Sequence, residues 1–137
     1  MAQAVRYRTG LDRRTGQVLT GWAHVQQSLA VIWTTRFRER VMRLAVGSEL
    51  RSWLAEDLSP ATALGIYADL VVAAHTFEPE YRLTELQFVN AGRAGSLALR
   101  HSGTYYPEGR FGDYGKAIPI GYGAPIVLAQ QIARRIA

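Results

Sequence analysis

Apolar side chains recur at helical spacing in two long segments of the chain. The first begins after Thr20, a residue type that caps helices, and should fade near Thr34, because β-branched residues are weak helix formers. The second begins at Ser59, whose hydroxyl can cap a helix that starts with Pro60, and should end near Phe77. The positions that follow the helical repeat are Trp22, Val25, Leu29, Ile32 and Trp33 in the first segment and Leu64, Tyr67, Ala68, Val71, Val72 and His75 in the second.

The pattern between and after these helices is different. Residues 36–47 are dense in arginine and predict an irregular segment ending at Gly47, after which Ser48 should cap a short helix. In residues 83–89 and in residues 97–106, the side chains alternate between two faces with a period of two. This pattern predicts two strands in an antiparallel hairpin. The predicted fold class is therefore α+β, with two main helices and a short one packed on a small antiparallel sheet.

The two ends of the chain have less regular patterns. Residues 1–19 are polar and predict an N-terminal arm, whereas residues 20–106 carry the predicted α+β domain. Residues 107–123 are rich in glycine, proline and tyrosine and predict loops. The C-terminal segment, residues 107–137, should end in an amphipathic helix that starts at Pro125 and carries Ile126, Leu128, Ile132 and Ile136.

Composition narrows the class of protein. The 137 residues suit one domain, and the absence of cysteine excludes disulfides and thiolate metal sites. No stretch approaches the roughly 20 apolar residues of a membrane span, and arginines interrupt the N-terminus where a signal peptide would be apolar, so we expect a protein that stays off the membrane. The net charge is +5 and nearly all basic residues are arginine, which suits carboxylate and phosphate partners alike.

Two groups of charged residues leave alternatives to a structural role open. The acidic pair Glu78 and Glu80 could serve a lysozyme-like glycosidase; otherwise we expect Glu78 to pair with a basic group and Glu80 to face solvent. The arginine cluster between Arg36 and Arg43 could bind nucleic acid, although it contains a single aromatic residue. No catalytic motif, metal-ligand spacing or cofactor motif is present, so we expect no enzyme, metal or cofactor.

One group of sequence motifs is more specific than any of the features above. A helix that ends in Phe77, Glu78 and Pro79 is followed by Tyr81, Arg82 and Leu83 and runs into the hairpin, while residues 34–35, 39–42 and 47–48 form its upstream part. Together these residues resemble the baseplate wedge family of contractile phage tails, which includes the lysozyme-like-annotated baseplate subunit and a type VI secretion counterpart. Residues 8–10, 12–16 and 104–107 also resemble phage members.

The resemblance implies both partners and site residues. Glu78 and Pro79 would bind the helical core bundle of the wedge. Glu80 stands where the family motif has an arginine. Arg82 has the same strand parity as position 80 and would substitute for the missing arginine. The hairpin would exchange strands with the first sheath ring. The implied setting is a symmetric ring of copies in the tail baseplate, assembled in the bacterial cytoplasm without membrane or nucleic acid. The residues expected to contact partners are Glu78, Pro79, Arg82, Thr84, Leu86, Arg100 and Tyr105.

Overall fold

The computed structural model describes residues 4–54, 56, 59–91, 97–123 and 126–127. Three helices and six strands lie in these ranges, and their topology is α+β, as predicted. None of the helices in these ranges combines the length and the apolarity that crossing a membrane requires. In chain order the elements are β1 (Thr9–Leu11), β2 (Val18–Thr20), α1 (Trp22–Thr34), α2 (Leu50–Leu54), α3 (Pro60–Phe77), β3 (Tyr81–Ala91), β4 (Leu97–Tyr105), β5 (Ile118–Ile120) and β6 (Ile126–Val127).

The core lies where α1 and α3 pack against one face of the main sheet. Trp33 of α1 is fully buried, and its indole Nε1 donates to the Leu70 carbonyl of α3 at 3.0 Å, which ties the two helices together. Burying the polar end of a tryptophan without such a bond would cost about 1–3 kcal/mol. The buried hydrophobic residues of this core include Val25, Leu29, Ile32, Leu50, Ile66, Leu70, Tyr81, Leu97, Leu99 and Tyr105.

Two antiparallel sheets flank this core. β1 and β2 form a separate two-stranded hairpin within the predicted arm. In the main sheet β4 is central, with β3 on one side and the short strands β5 and β6 on the other. The predicted hairpin is confirmed, and β3 and β4 pair from Tyr81 opposite Tyr105 to Ala91 opposite Leu97.

The predicted helix boundaries hold better than the predicted caps. Ser59 accepts a hydrogen bond from the Thr62 N–H and caps α3, as expected. Thr20 is the last residue of β2 instead of a cap, and Gly21 takes the N-cap position of α1 without a side-chain bond. The Ser48 hydroxyl was predicted to cap the short helix, but it donates to the Trp33 carbonyl at 2.7 Å. In both cases the residue that the local pattern assigned to a cap is engaged by another element: Thr20 pairs with Thr9, and Ser48 bonds to Trp33.

The buried face of α3 differs from the predicted one. Its buried residues are Thr62, Ile66, Leu70, Ala73 and Ala74, whereas Leu64 and Val72 of the predicted repeat are 68% and 63% exposed. Asp69 is the only formally charged residue between Pro60 and Phe77, so apolar residues occur on every side of the helix. A helix that is apolar all round gives no periodic signal for its buried side.

The segment after β4 also departs from the prediction. It contains a 3-10 turn at Gly109–Phe111 and the strand β5, which the glycine-rich and proline-rich sequence concealed. Ile126 and Val127, expected in a C-terminal helix, form β6 and pair with Leu99 and Ala98 of the central strand. The remainder of the predicted helix, residues 128–137, and its start at Pro125 lie outside the described residues.

Candidate functional site

The exit from α3 forms a tight acidic corner. The backbone N–H of Glu78 donates to the Ala74 carbonyl and closes the last helical turn, and Pro79 then prevents the helix from continuing. The Glu78 carboxylate accepts a bond from the Glu80 N–H at 3.3 Å. Glu78 and Glu80 are only 1% and 0% exposed, so two formal negative charges are buried within three residues. Such a pair requires cations close by.

Arginines from the N-terminal arm and from the segment that follows β4 supply these cations. Arg8 of the N-terminal arm donates to Glu78 at 2.7 Å and lies 3.6 Å from Glu80. Arg110 reaches Glu80 from the other side. Arg6 pairs with a third buried carboxylate, Glu108, at 2.8 Å. Three carboxylates therefore face three guanidinium groups, and we call these six residues the corner cluster: Arg6, Arg8, Glu78, Glu80, Glu108 and Arg110.

Backbone contacts set the positions of these arginines. The Gly21 N–H donates to the Arg8 carbonyl at 2.9 Å, which anchors the arm beside the start of α1. The Tyr106 N–H donates to the Glu80 carbonyl at 2.7 Å and holds the 107–111 turn against the corner. A Cβ atom at Gly109 would lie 2.6 Å from the Pro79 carbonyl oxygen, so only glycine permits this approach. Arg110 also donates to the Arg6 carbonyl, which joins the two cationic segments.

Several groups in and around the corner cluster have shifted pKa values. Hydrogen bonding from Arg6 holds the pKa of Glu108 below its usual value. Burial, with a smaller effect from the Glu80 charge, raises the pKa of Tyr105 to about 12. Burial, followed by the positive charge of Arg8, lowers the pKa of His24. Tyr105 and His24 are therefore neutral near pH 7, and the charge in this region belongs to the arginine and glutamate side chains.

Two expectations about the corner are wrong. Glu80 does not face solvent; it is completely buried, because Arg8 and Arg110 enclose it. Arg82 does not share a face with Glu80, since Glu80 lies in the turn before β3 and Arg82 is exposed on the strand itself. Strand parity applies only once the strand has begun. Arg82 lies over the Tyr114 ring instead, with 6.0 Å between its guanidinium carbon and the ring centroid.

The other predicted contact residues are spread over the hairpin. Thr84 and Arg100 are exposed, and the Thr84 hydroxyl donates to the Ser102 carbonyl at 3.1 Å. Leu86 is half-buried against the core, whereas Tyr105 is buried and packs 5.7 Å from the Trp22 ring. Thr84 and Arg100 are therefore accessible to another chain, and Tyr105 is not. Pro79 is half-buried beside the two buried glutamates.

The outer edge of β3 is partly covered by the protein itself. The Leu83 N–H donates to His75 Nε2 at 3.0 Å, and the Phe88 N–H donates to the Tyr67 hydroxyl at 3.3 Å. Both acceptors belong to α3, so this helix occupies two of the backbone donors that a further strand would use. On the opposite side of the sheet, β5 contains Pro119, which has no N–H to offer. Both edges thus resist uncontrolled strand pairing.

Sequence reasoning identified Glu78 but missed Arg6, Arg8, Glu108 and Arg110. A usable signal existed in the replacement of the motif arginine by Glu80. Where the family motif has a cation, this chain has a second carboxylate. Its negative charge has to be balanced by cations from other segments of the chain. The basic residues of the arm and of the glycine-rich loop were the available donors, but no sequence rule shows which of them reach the corner.

The arrangement offers no catalytic chemistry at the acidic pair. A glycosidase needs one carboxyl group to give a proton to the sugar oxygen and the other to act on the opposite face of the ring. Both carboxylates here are buried and bonded to arginines, so no sugar can reach them. Across the described ranges, no three His, Asp or Glu side chains are arranged to hold a metal ion.

The chain is similar to a curated phage protein. It is 32% identical over 77 residues to "Baseplate protein W" of Escherichia phage P2, an alignment that covers 56% of this chain and 67% of the phage protein. No model of a known protein family matches the sequence.

Solved structures share the fold. A chain in the cryo-EM structure of the postcontracted pyocin R2 baseplate superimposes with a TM-score of 0.61 and 32% identity, over 72% of this chain and 98% of that one. A crystal structure from Geobacter sulfurreducens, named as a proposed tail lysozyme, has a TM-score of 0.56 and 21% identity over 77% of this chain and 88% of that one. At that identity the second likeness establishes the fold alone.

Proposed function

Because the chain belongs to the family of baseplate protein W and is a baseplate component of contractile phage-type tails, we propose that it is a non-enzymatic wedge subunit that works by binding other proteins. The observation that carries this proposal is the corner cluster. Its charges are matched within the chain, and its carboxylates are sealed from solvent. The cluster therefore serves to fix a rigid shape that neighbouring subunits can recognise.

We propose that the rim of this corner docks onto the helical core bundle of the wedge. Glu78 acts here as a positioning residue, because its carboxylate holds the arm through Arg8 instead of reaching outward. Arg82 and Pro79 remain accessible beside it. An exposed guanidinium on a rigid strand can form paired hydrogen bonds with a carboxylate of the partner, and its planar fork loses less freedom per hydrogen bond than a lysine would.

Charge reversal at Arg82 tests the docking step. Arg82→Glu should leave the unfolding transition of the purified chain almost unchanged, because the side chain is exposed. Incorporation into assembled baseplates, measured by quantitative mass spectrometry of purified particles, should fall by about tenfold or more, since like charges would face each other across the contact. Arg14→Glu, on the exposed turn of the arm, is the matched control. Normal incorporation of the Arg82 variant would refute the docking role.

We further propose that the β3–β4 hairpin meets the first sheath ring by strand pairing. β3 is the longest of the described strands, at 11 residues, and its outer edge is free of a described strand partner. Because α3 holds the Leu83 and Phe88 donors, an incoming strand must pair between these points or displace His75 and Tyr67. This requirement would confine pairing to a partner with enough matching contacts to replace the lost bonds.

A variant at Tyr67 tests strand pairing with the sheath separately from docking onto the core bundle. Tyr67→Phe removes the acceptor of the Phe88 N–H and should make that part of the edge more available. We expect baseplates to form normally and sheath to initiate at least as efficiently, as counted in electron micrographs of tails. A clear loss of sheath with a normally folded variant would contradict pairing at this edge.

The glycosidase alternative has a direct test. We expect the purified chain to release no soluble fragments from bacterial cell wall, because Glu78 and Glu80 are inaccessible. Release that disappears in Glu78→Gln, with folding intact, would overturn the non-enzymatic proposal.

A further inference from the structure

The residues between α1 and α2 form an exposed basic loop that none of the contacts above use. Four arginines, Arg36, Arg38, Arg40 and Arg43, are exposed, and no ion pair within the described ranges involves them. A single glutamate, Glu39, lies among them and accepts a bond from the Arg36 N–H. We call residues 36–47 the basic loop.

The tip of the basic loop is apolar. Val41 and Met42 are 86% and 92% exposed, and Leu44 is exposed beside them. Three exposed apolar side chains close together in the sequence, with arginines among them, have the composition of an interface centre with its polar rim. Nucleic acid is a poorer fit, because Phe37, the only aromatic side chain of the loop, lines the cleft beside α3 and is not at the tip, where a base would need a stacking platform.

The base of the loop is held in a defined conformation. The Ser48 N–H donates to the Thr35 carbonyl at 2.9 Å, and the Arg38 N–H donates to the Leu44 carbonyl at 2.9 Å. Gly47 has a φ of 145°, and a Cβ atom there would lie 2.5 Å from the Thr35 carbonyl oxygen. Arg38 has a φ of 65°, a left-handed conformation that costs a non-glycine residue energy. The loop is therefore presented at the surface in a specific shape.

The outer face of α3 continues this surface. The exposed positions along it recur every three or four residues and form one stripe that is about 22 Å long at 1.5 Å per residue. Phe37, Val72 and Thr76 line one cleft of about 170 Å³, so the stripe and the loop meet there. The stripe consists of Ala61, Leu64, Ala68, Val72 and Thr76.

We propose that the α3 stripe and the basic loop together bind an amphipathic helix of another baseplate protein, with the apolar side of that helix on α3 and its acidic end at the loop. A straight apolar stripe at helical spacing is matched by the ridges of a second helix. The four arginines pair with no carboxylate among the described residues, so they favour a partner that carries negative charge at that end. Glu49 and Asp69 line the cleft where the α3 stripe meets the basic loop. Because these side chains would repel a carboxylate, the middle of the partner helix should carry no acidic residue at the cleft.

Cross-linking in assembled tails tests the partner's identity. A photoreactive benzoylphenylalanine placed at Val72 or at Met42 should cross-link to the same neighbouring chain, and the attached peptides should come from one helical segment that is acidic near Met42. The same group at Val18, exposed on the arm, is the control and should miss that segment. Cross-links to a second copy of this chain, to nucleic acid, to a segment without acidic residues or to nothing would each overturn the proposal.

Charge reversal tests the role of the loop without any knowledge of the partner. Arg40→Glu combined with Arg43→Glu should lower incorporation into baseplates by about tenfold or more, because repulsion replaces attraction at the acidic end of the partner. Arg13→Glu combined with Arg14→Glu places the same charge change on the exposed turn of the arm and should leave incorporation within about twofold of the unmodified chain. Incorporation of the loop variant at the level of this control would overturn the proposal.

Discussion

Two groups of arginines in this protein have opposite environments. Arg8 and Arg110 of the corner cluster are about three quarters buried and bonded to carboxylates of the same chain. The basic loop projects its arginines into solvent, without a described carboxylate partner, around an apolar tip. The residue type is the same, so the difference comes from what surrounds each side chain.

This difference separates two uses of charge in an assembly protein. Within the corner cluster, removing one charge leaves its partner buried and unpaired, so the cluster contributes to the shape and stability of the monomer. In the basic loop, removing a charge changes little until another chain is present. Substitutions that remove a charge at the corner should therefore act on folding, and substitutions that remove a charge in the loop should act on assembly.

The largest effect on stability is expected from Glu80→Gln. The neutral amide cannot balance Arg8 and Arg110, and the free energy of unfolding should fall by about 2–4 kcal/mol, somewhat less than for a completely buried pair because both arginines are partly exposed. Urea unfolding followed by circular dichroism measures the change. Glu56→Gln, at an exposed position, is the control and should alter stability by less than about 0.5 kcal/mol. Equal effects of the two variants would mean that the corner cluster does not stabilise the fold.

A smaller loss is expected from Gly47→Ala at the base of the basic loop. The added Cβ meets the Thr35 carbonyl oxygen and the backbone adopts a φ that alanine disfavours, so stability should fall by about 1–3 kcal/mol. Gly16→Ala shares a positive φ of 74° but meets no atom within 4 Å, so its loss should be smaller. A loss at Gly16 as large as that at Gly47 would show that backbone conformation alone explains the effect.

Mild acid should weaken the fold through its histidines. His101 is buried, and burial lowers its pKa in the folded state below the usual 6.5. As the pH falls below about 6.5 the unfolded chain takes up a proton before the folded chain does, so stability is full above this pH and declines below it. Burial lowers the pKa of His24 and His75 as well, which adds to the decline.

Urea unfolding measured between pH 7.5 and 5.5 checks this decline. His101→Asn should flatten the pH dependence, even though it also removes the contact between Nδ1 and the Tyr81 hydroxyl at 2.8 Å. Stability that is constant or rises on acidification would contradict the neutral state of these histidines.

The smallest effect on the monomer is expected from Arg40→Gln in the basic loop. The side chain is exposed and forms no ion pair with a described residue, so stability should change by less than about 0.5 kcal/mol. Arg8→Gln is the matched substitution at the corner and should cost clearly more, because it leaves the buried Glu78 carboxylate without its guanidinium. Similar losses for the two variants in urea unfolding would remove the contrast between these regions.

Local patterns predicted the elements that have one strongly apolar side. The alternation before and after residues 90–96 predicted β3 and β4, and the apolar repeat of α1 predicted its buried face through Val25, Leu29 and Ile32. Ser59 and Pro60 fixed the start of α3. The same reasoning failed for the face of α3, because an apolar residue lies on every side of that helix, and for β5 and β6, which are only three and two residues long.

The sequence by itself determined the class of fold, the boundaries of the main helices and hairpin, and the resemblance that placed the chain in a contractile-tail baseplate. These features depend on residues close together in the chain, whose spacing is visible in the sequence. Only the tertiary structure decided that Glu80 is buried and that Arg8 and Arg110 neutralise the corner, because these partners lie 72 and 30 residues away from it. The balance of buried charge depends on which distant segments are in contact, and the spacing of residues along the chain does not reveal these contacts.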